Sequence, residues 1–331
     1  MLAHFTKQFK RTLIGFEVLF FILMVLIAYN FFLPLGKENK TLYFPNNTPE
    51  TITRTLKDHG FNITEWDKYL LSTVKLPSSG WYDISHLHGG RYHFFKHLKD
   101  TPSQTLKLKV FAGETSCELV NRLAKDLKLD EEKLLEVYSN KSRFQEADIF
   151  AKTYTVARNA DENTTLAYLF DRSRQILENF KKEHFIKEAD FNTVKILLTI
   201  ASIIQKETNN PKEMPLISSV IYNRLKKGMK LQMDGTLNYG KFSHCIVTPE
   251  RIKSDNTFYN TYKYKGLPPA PINLPEISSI DAVLNYEKHQ YIYMCAKEDF
   301  SGYHYFAKTN AQHERYAAKY HAALNKLKVY K

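Results

Sequence analysis

The first long run of apolar residues predicts a transmembrane helix at residues 12–33. This segment contains a single charged residue, Glu17, and about 20 apolar residues in an α-helix are enough to cross the hydrocarbon core of a bilayer. No acidic residue precedes it, whereas three basic residues do: Lys7, Lys10 and Arg11. Because basic residues favour the cytoplasmic side, we expect residues 1–11 in the cytoplasm and a single-pass anchor in the cytoplasmic (inner) membrane.

A cleaved signal peptide is the alternative for this segment. A signal peptide has a shorter apolar region, which small residues follow at the cleavage site. Here the run ends in large residues, in the sequence YNFFLP at 29–34. We therefore expect the anchor to be retained and the body of the chain, from residue 37 onward, to be extracytoplasmic (periplasmic).

Two stretches after the anchor have the same order of elements: a strand, a turn, a helix and a second short helix. The first begins at LYFPNNTPE and the second at LKVFAGETS. In each first helix, apolar residues four apart form one stripe after a threonine that can cap the helix. The matching positions are Thr48 and Thr115, Ile52 and Leu119, and Leu56 and Leu123. We predict two small βαα units within residues 37–140.

The second of these units resembles the LysM-like fold. Proteins of that family bind polymers of N-acetylglucosamine, so the resemblance implies that this region binds glycan. A structural spacer between the anchor and the rest of the chain is the alternative.

The pattern changes near residue 140. Short strands are predicted around Ile149 and Tyr154, followed by an amphipathic helix at 165–180 and by further helices with short strands. A domain boundary here gives a second domain, 141–331, of mixed α/β structure. The expected fold class is therefore α+β, with a transmembrane helix, the βαα units and this second domain.

Composition and charge narrow the possible partners. The chain has 331 residues and a formal net charge of +12, which favours nucleic acid, anionic lipid or an anionic polymer such as the cell wall. No zinc-finger spacing or basic zipper is present, and a position outside the cytoplasm argues against nucleic acid. The three cysteines form no CxxC motif, and the histidines lack partners for a metal site. We expect no metal and no cofactor.

The most apolar helix after the anchor is predicted to end in a carboxylate. Apolar residues run up to Ile204, and Glu207 follows three residues later on the same face. We expect Asn192 or Thr193 to cap the helix and its end to lie near 209–210, before a proline. Burial and the helix dipole both raise the pKa of such a carboxyl group, which makes Glu207 a candidate general acid. A structural salt bridge to a neighbouring Lys or Arg is the alternative.

Polar and aromatic side chains after this helix are typical of a sugar-binding groove. We predict a helix at 216–227, a strand with alternating polar residues at 232–239 and a proline-rich loop at 256–275. Aromatic planes with amide and hydroxyl groups line such grooves, and packing of the aromatic residues in the core is the alternative. The candidate substrate-binding residues are Asn223, Arg224, Gln232, Asp234, Thr236, Tyr239, Tyr259, Asn260 and Tyr262.

Four segments together resemble the MltG, or YceG-like, family of endolytic murein transglycosylases. They are ASIIQKET, IYNRLKKGMKLQMDGTLNYG, YNTYKYKGLPPAPI and YHYFAKTNAQH, in that order along the chain. The catalytic glutamate of that family lies in an EKET-like motif. The first acidic position of the motif is Gln205 here, so the resemblance assigns the catalytic role to Glu207. Met233 and Gly235 also depart from the usual residues of the family.

The resemblance implies a specific reaction on the glycan strands of peptidoglycan. It is cleavage of the β-1,4 bond between N-acetylmuramic acid and N-acetylglucosamine, which leaves a 1,6-anhydro end. Glu207 would protonate the glycosidic oxygen and then accept the proton of the muramoyl C6 hydroxyl as that oxygen attacks C1. One carboxyl group suffices because the attacking hydroxyl belongs to the substrate. Plausible partners at the membrane are peptidoglycan synthases and division or elongation proteins.

Two other functions fit the same residues. A muramidase would hydrolyse the same bond, with Glu207 and Asp234 as its two carboxyl groups. A non-catalytic anchor would bind peptidoglycan through the LysM-like unit alone. The products distinguish these functions, since hydrolysis adds one water, the anhydro product lacks it, and an anchor gives no product.

Overall fold

The structure is a computed structural model that describes residues 2–36, 41–184, 186 and 188–326, with side chains from residue 9 onward. Its mixture of helices and short strands agrees with the expected α+β class. The chain divides into two compact units, Met1–Leu106 with Thr155–Thr164 and Lys107–Tyr154 with Thr165–Lys331.

The first unit contains an N-terminal helix and a small core. Its helices are α1 (Leu2–Phe32), α2 (Pro49–Asp58), α3 (Glu65–Thr73) and α4 (Arg91–His97), and its strands are β1 (Thr41–Phe44) and β2 (Gly80–Asp83). The two strands are antiparallel, with Thr41 opposite Asp83. A single apolar core includes Leu42, Ile52, Leu56, Leu71 and Phe95.

Helix α1 contains the N-terminal apolar run. Within the described residues it is the one helix that is long and apolar enough to cross a membrane: Phe9–Phe32 has a mean hydropathy of 2.4, and none of it is buried. These properties fit an anchor and also a signal sequence. The start of the predicted extracytoplasmic region, 37–40, lies outside the described residues.

The rest of the chain adds eight helices and four strands within the described residues. The helices are α5 (Ser116–Leu127), α6 (Glu131–Lys141), α7 (Glu162–Glu183), α8 (Phe191–Glu207), α9 (Met214–Lys226), α10 (Pro249–Ser254), α11 (Ile277–Leu284) and α12 (Asn310–Lys326). The strands are β3 (Thr105–Lys109), β4 (Thr153–Ala157), β5 (Tyr293–Ala296) and β6 (His304–Ala307). Strand β3 pairs with β4, and β5 pairs antiparallel with β6.

Helix α8 is the central helix of the second unit. Nearly all of its side chains between Val194 and Gln205 are buried, and they pack with α9 and α11 in one apolar core. Asp190 caps its first turn by accepting the N–H of Thr193 at 2.7 Å. The expected cap at Asn192 or Thr193 is therefore wrong, because both residues already lie inside the helix.

Both predicted βαα units are present. Thr48 caps α2 and Thr115 caps α5, each by accepting a backbone N–H at 3.3 Å. The four apolar positions predicted to match are all fully buried: Ile52, Leu56, Leu119 and Leu123. The LysM-like assignment of the second unit stays a prediction.

The second βαα segment belongs to the same compact unit as the residues after 140. The N–H of Gly113 donates to the carbonyl oxygen of Leu274 at 3.0 Å, and the N–H of Leu274 donates to that of Glu114 at 2.8 Å. The predicted bounds 37–140 and 141–331 therefore do not coincide with the compact units. The bonds that join these segments connect residues far apart in sequence, which local patterns do not reveal.

Two predicted strands are not strands in the structure. Ile149 lies in a bend before β4, and Asp234–Leu237 forms a short 3₁₀ helix. Gln232 and Asp234 are exposed and Met233 between them is buried, so the predicted alternation is present over these residues. Such a short alternation does not distinguish a strand from an extended loop that enters a 3₁₀ turn.

Candidate active site

Glu207 is the last residue of α8. The next residue, Thr208, leaves the helix with φ −153° and ψ 147°, and its hydroxyl accepts the N–H of Asn210 at 3.0 Å. Because this local bond competes with a further helical turn, the helix ends before the expected position at 209–210. Glu207 is therefore a half-buried residue at the end of a buried helix.

The backbone of Gly235 approaches this carboxyl group closely. Its N–H donates to Glu207 Oε1 across 3.4 Å. A Cβ atom added to Gly235 would lie 2.7 Å from the Cβ of Lys206 and 3.1 Å from Glu207 Oε1. Only glycine leaves room for the backbone to come this close to Glu207. Gly235 therefore helps to fix the position of the carboxyl group.

The surroundings of Glu207 favour its protonated form. Burial raises the pKa of Glu207 to about 7, and the negative charge of Asp234 adds to this increase. The N–H of Gly235 and the charge of Arg224 oppose the increase of the pKa without cancelling it. The direction is the one expected from burial, and at neutral pH a large share of Glu207 can donate a proton.

The two nearest basic side chains bind other groups. Lys206 donates to the carbonyl oxygen of Gly113 at 2.9 Å and to Ser243 Oγ at 3.2 Å. Arg224 donates through Nε to the carbonyl oxygen of Ile292 at 2.6 Å. Among the described side chains, none therefore forms the structural salt bridge that was the alternative role for Glu207.

A cavity of about 500 Å³ lies against Glu207. Four predicted binding residues line it: Arg224, Gln232, Asp234 and Tyr262. The hydroxyl of Tyr262 donates to Asp234 Oδ1 at 2.5 Å. Burial, this hydrogen bond and the charge of Asp234 raise the pKa of Tyr262, so its hydroxyl stays protonated at physiological pH.

Glu207 also lines a second cavity, of about 410 Å³. The other residues around this cavity are Gln205, Lys206, Thr208, Asn209, Asn210, Ser301 and Gly302. Glu207 is the residue that the two linings share. Glu207 therefore borders two separate spaces.

Five predicted binding residues line neither cavity, and three of them have side chains that hydrogen-bond to backbone carbonyl groups. The side-chain amide of Asn223 donates to two carbonyl oxygens at 2.9 Å, and that of Asn260 donates to two others at 2.8 Å. Thr236 is fully buried and donates to the carbonyl oxygen of Met233 at 2.7 Å. These polar groups hold the loops around the site.

Tyr239 and Tyr259 stack on each other rather than along a cavity. Their ring centroids lie 4.0 Å apart with an angle of 21° between the planes, and both rings pack against the core of the second unit. The hydroxyl of Tyr239 donates to Thr257 Oγ1 at 3.1 Å. For this pair the structure favours the alternative of packed aromatic residues.

Several cavity residues were not predicted from the sequence. They come from β5, β6 and α12, far from Glu207 along the chain: Tyr293, Met294, His304, Asn310, His313 and Tyr320. His304, Asn310 and His313 lie within the segment YHYFAKTNAQH. This segment is one of the four that resemble the family, so it could have pointed to these three residues. Periodicity could not assign them, because it gives no information on contacts between distant elements.

A second carboxyl group with a raised pKa lies outside both cavities. Burial raises the pKa of Glu146 to about 7, although its two oxygens accept the N–H and the hydroxyl of Ser116, each at 2.8 Å. Ser116 is the first residue of α5. Glu146 therefore joins α5 to the segment before β4 and has a structural position.

Comparisons with known proteins identify the family of this chain. A family model described as the YceG-like family matches residues 44–319. A protein of Streptococcus pneumoniae serotype 2 (strain D39) named endolytic murein transglycosylase is 31% identical over 182 residues, which cover 53% of this chain and 32% of that protein. A Bacillus subtilis (strain 168) protein with the same name is 35% identical over 157 residues, which cover 47% of this chain and 42% of that protein.

A solved structure of a yceG-like protein also resembles this chain in its fold. The crystal structure of a yceG-like protein of Listeria monocytogenes matches with a TM-score of 0.54 and 25% identity, and the match covers 85% of this chain and 99% of that chain. The matches to the two curated relatives span less than half of the length of those proteins. The family model nevertheless covers most of this chain, including Glu207 and every residue of the first cavity except Tyr320. The chain belongs to the YceG-like family.

Proposed function

We propose that this protein is a membrane-anchored, endolytic lytic transglycosylase of peptidoglycan. It cleaves the β-1,4 bond between N-acetylmuramic acid and N-acetylglucosamine and leaves a 1,6-anhydro end. The observation that supports this most strongly is Glu207, whose pKa is about 7 and which lines two cavities. The two curated relatives described above have names that state the same general activity.

In the proposed mechanism Glu207 acts first as an acid and then as a base. Its proton passes to the glycosidic oxygen, and the bond between that oxygen and C1 of the muramoyl residue breaks. The C6 hydroxyl oxygen of the same residue forms the new bond to C1, and its proton passes to the Glu207 carboxylate. Atoms balance without a water molecule, and the internal nucleophile has a high effective concentration.

Asp234 and Tyr262 support this cycle from the first cavity. The negative charge of Asp234 helps to keep Glu207 protonated before the reaction and opposes its premature ionisation. The same carboxylate is held by the Tyr262 hydroxyl and can stabilise the positive charge that develops at C1. Arg224 fixes the cavity wall through the carbonyl oxygens of Ile292 and Leu231.

The two cavities support cleavage within a strand rather than at its end. An endolytic enzyme must hold sugar residues on both sides of the bond that breaks. Glu207 borders both spaces, one with Gln232 and Asp234 and the other with Asn209 and Asn210. Amide and carboxylate groups can bind the hydroxyl and acetamido groups of the sugars.

The remaining parts of the chain have proposed roles that follow from this activity. Helix α1 would anchor the protein in the cytoplasmic membrane with residues 1–11 in the cytoplasm, and the rest would be periplasmic. The region 37–140, with its LysM-like unit, would bind glycan, and the domain 141–331 would cleave it. Synthases and division or elongation proteins would be partners because they work on new strands at the membrane.

One observation favours a second candidate, a muramidase. Asp234 lines the same cavity as Glu207, so two carboxyl groups are available for hydrolysis. A hydrolytic enzyme would use Asp234 to activate water or to attack C1. Replacement of Asp234 would then abolish turnover, whereas the transglycosylase needs only Glu207.

The test of the proposed activity uses the full chain in detergent with isolated peptidoglycan sacculi. The wild type is expected to release fragments with 1,6-anhydro ends, and Glu207→Gln is expected to release none. Glu146→Gln is the matched control, because this glutamate also has a pKa of about 7 but lies outside both cavities. Equal release by wild type and Glu207→Gln would refute the assignment of the acid.

A further inference from the structure

Two aromatic side chains of α3 are exposed, whereas the other tryptophan of the chain is in the interior of the first unit. Trp66 is 69% exposed and Tyr69 is 67% exposed, and their ring centroids lie 5.8 Å apart. Trp81 is only 4% exposed, and its indole N–H donates to the carbonyl oxygen of Thr155 at 2.8 Å. An exposed aromatic pair of this kind is typical of an interaction surface.

The start of α3 is joined to the end of α1. The hydroxyl of Tyr29, in α1, donates to Asp67 Oδ1 at 2.8 Å and forms a second hydrogen bond with the hydroxyl of Thr64. Thr64 is the residue before α3, and Asp67 lies in its first turn. The first turn of α3, which includes Trp66, therefore lies beside Tyr29.

A buried arginine fixes this junction. Arg91 forms an ion pair with Asp67 in which neither side chain is exposed, and its Nε donates to the carbonyl oxygen of Leu33 at 3.1 Å. The side chain of Asn30 accepts the N–H of Tyr92 at 2.9 Å. Because removal of one partner of a buried ion pair is strongly destabilising, these bonds hold α1, α3 and α4 in one arrangement.

The length of the apolar span sets the height of the junction. Phe9–Phe32 has 24 residues. At a rise of 1.5 Å per residue it is about 36 Å long, slightly more than the roughly 30 Å of the hydrocarbon core. Tyr29 lies one turn before its end, and helical side chains point back toward the N-terminus. The groups that Tyr29 contacts therefore lie at the outer boundary of the bilayer.

We propose that Trp66 and Tyr69 insert into the lipid headgroup layer on the outer side of the membrane. The inference rests on the proposed anchor. Tryptophan and tyrosine are enriched at this layer because their rings are apolar while their N–H and O–H groups stay hydrated. Tyr92, which Asn30 holds at the same end of α1, is 46% exposed and extends the surface. Lys96 lies 5.8 Å from the centroid of its ring and can reach lipid phosphates.

This contact gives the first unit a defined orientation. The anchor alone would leave α1 free to tilt and rotate in the bilayer. A second contact at the headgroup layer restricts both motions. The βαα unit of residues 41–73 would then be held in a constant position relative to the bilayer surface.

The test uses the fact that the chain has only two tryptophans. The full-length wild type and Trp66→Phe are reconstituted in phosphatidylcholine and phosphatidylglycerol vesicles, with and without lipids brominated near the headgroup end of the acyl chains. Bromine quenches tryptophan only at close range. We expect a large loss of emission in the wild type and little loss in Trp66→Phe, which retains the buried Trp81. We also expect vesicles to shield Trp66 from iodide in the water.

A second measurement distinguishes failure of the proposed membrane anchor from failure of the proposed insertion of Trp66 and Tyr69. Flotation of the vesicles on a density gradient tests the anchor by itself, and protein that stays at the bottom refutes the anchor and the inference together. Protein that floats with equal quenching in the wild type and Trp66→Phe refutes only the inference. In that case α1 spans the membrane, and Trp66 remains in water.

Discussion

The backbone N–H of Gly235 faces the Oε1 atom of Glu207 at 3.4 Å, and no side chain fits between them. The two residues come from different elements, the 3₁₀ helix Asp234–Leu237 and the end of α8. Their approach places Asp234 beside the carboxyl group whose pKa it helps to raise. The geometry of the proposed acid therefore depends on a glycine that takes no part in the chemistry.

Replacement of this glycine should reduce activity. In Gly235→Ala the new Cβ would lie 2.7 Å from the Lys206 Cβ and 3.1 Å from Glu207 Oε1, so the loop or the carboxyl group must move. A displacement of about 1 Å at a reacting group can lower the reaction rate by up to about 100-fold. We therefore expect kcat/KM on glycan strands to decrease by roughly 10- to 100-fold. Gly228→Ala is the control, because it introduces strain at φ +63° in open space. It should lower thermal stability and leave kcat/KM unchanged, and full activity of Gly235→Ala would contradict this account.

The activity should decrease as pH rises through about 7. Glu207 must carry a proton in the free enzyme, and its pKa is raised to about 7 by burial. The measurement is kcat/KM against pH on soluble glycan strands. Since Glu146 also has a pKa of about 7, the same profile is measured for Glu146→Gln, where the decrease should persist. A profile that stays flat well above pH 7, or a decrease that disappears in Glu146→Gln, would argue against Glu207 as the acid.

Removal of the Asp234 charge should shift this decrease to lower pH. The charge of Asp234 raises the pKa of Glu207, so Asp234→Asn lowers that pKa and Glu207 loses its proton at a lower pH. The variant should keep substantial activity below the new pKa. Tyr262→Phe is the matched control, since it removes the hydrogen bond to Asp234 and keeps the charge. Complete loss of turnover in Asp234→Asn at every pH would favour the muramidase.

Glu207 should reduce the stability of the protein at alkaline pH. Its pKa is about 7 in the folded state, above the value of 4.5 for an unperturbed glutamate, so the folded state binds more protons between these two values. The free energy of unfolding therefore decreases as pH rises from about 4.5 to about 7 and stays reduced above. We expect Glu207→Gln to be more stable than the wild type at pH 8, by roughly 1 to 3 kcal/mol, and to show a much smaller difference at pH 4. Chemical denaturation at the two pH values measures this, and a wild type that is the more stable protein at pH 8 would contradict it.

The sequence predicted the elements whose pattern is local. The stripes at Ile52 and Leu119 gave the two βαα units, and the apolar run to Ile204 placed Glu207 at the end of a buried helix. The raised pKa of Glu207 followed from the same pattern, because burial is its main cause. In each case the local spacing of apolar residues was enough to predict which face is buried.

Features that depend on distant contacts were missed or misassigned. Asn223 and Asn260 were predicted from local pattern alone, which could not show that their amides bond to backbone carbonyl groups brought near only by the fold. His313 and Tyr293 line the cavity from α12 and β5, and no spacing connects them with Glu207. The cap of α8 was misplaced because Asp190, Asn192 and Thr193 are all good capping residues.

The most direct test of the central claim, cleavage without water, is the mass of the products formed in heavy-oxygen water. The full-length enzyme is incubated with isolated sacculi in this solvent, and the new ends of the released strands are analysed by mass spectrometry. The account predicts 1,6-anhydro ends that contain no heavy oxygen, because the C6 hydroxyl of the substrate attacks C1 while Glu207 transfers the proton. New reducing ends that contain heavy oxygen would show hydrolysis and would contradict it.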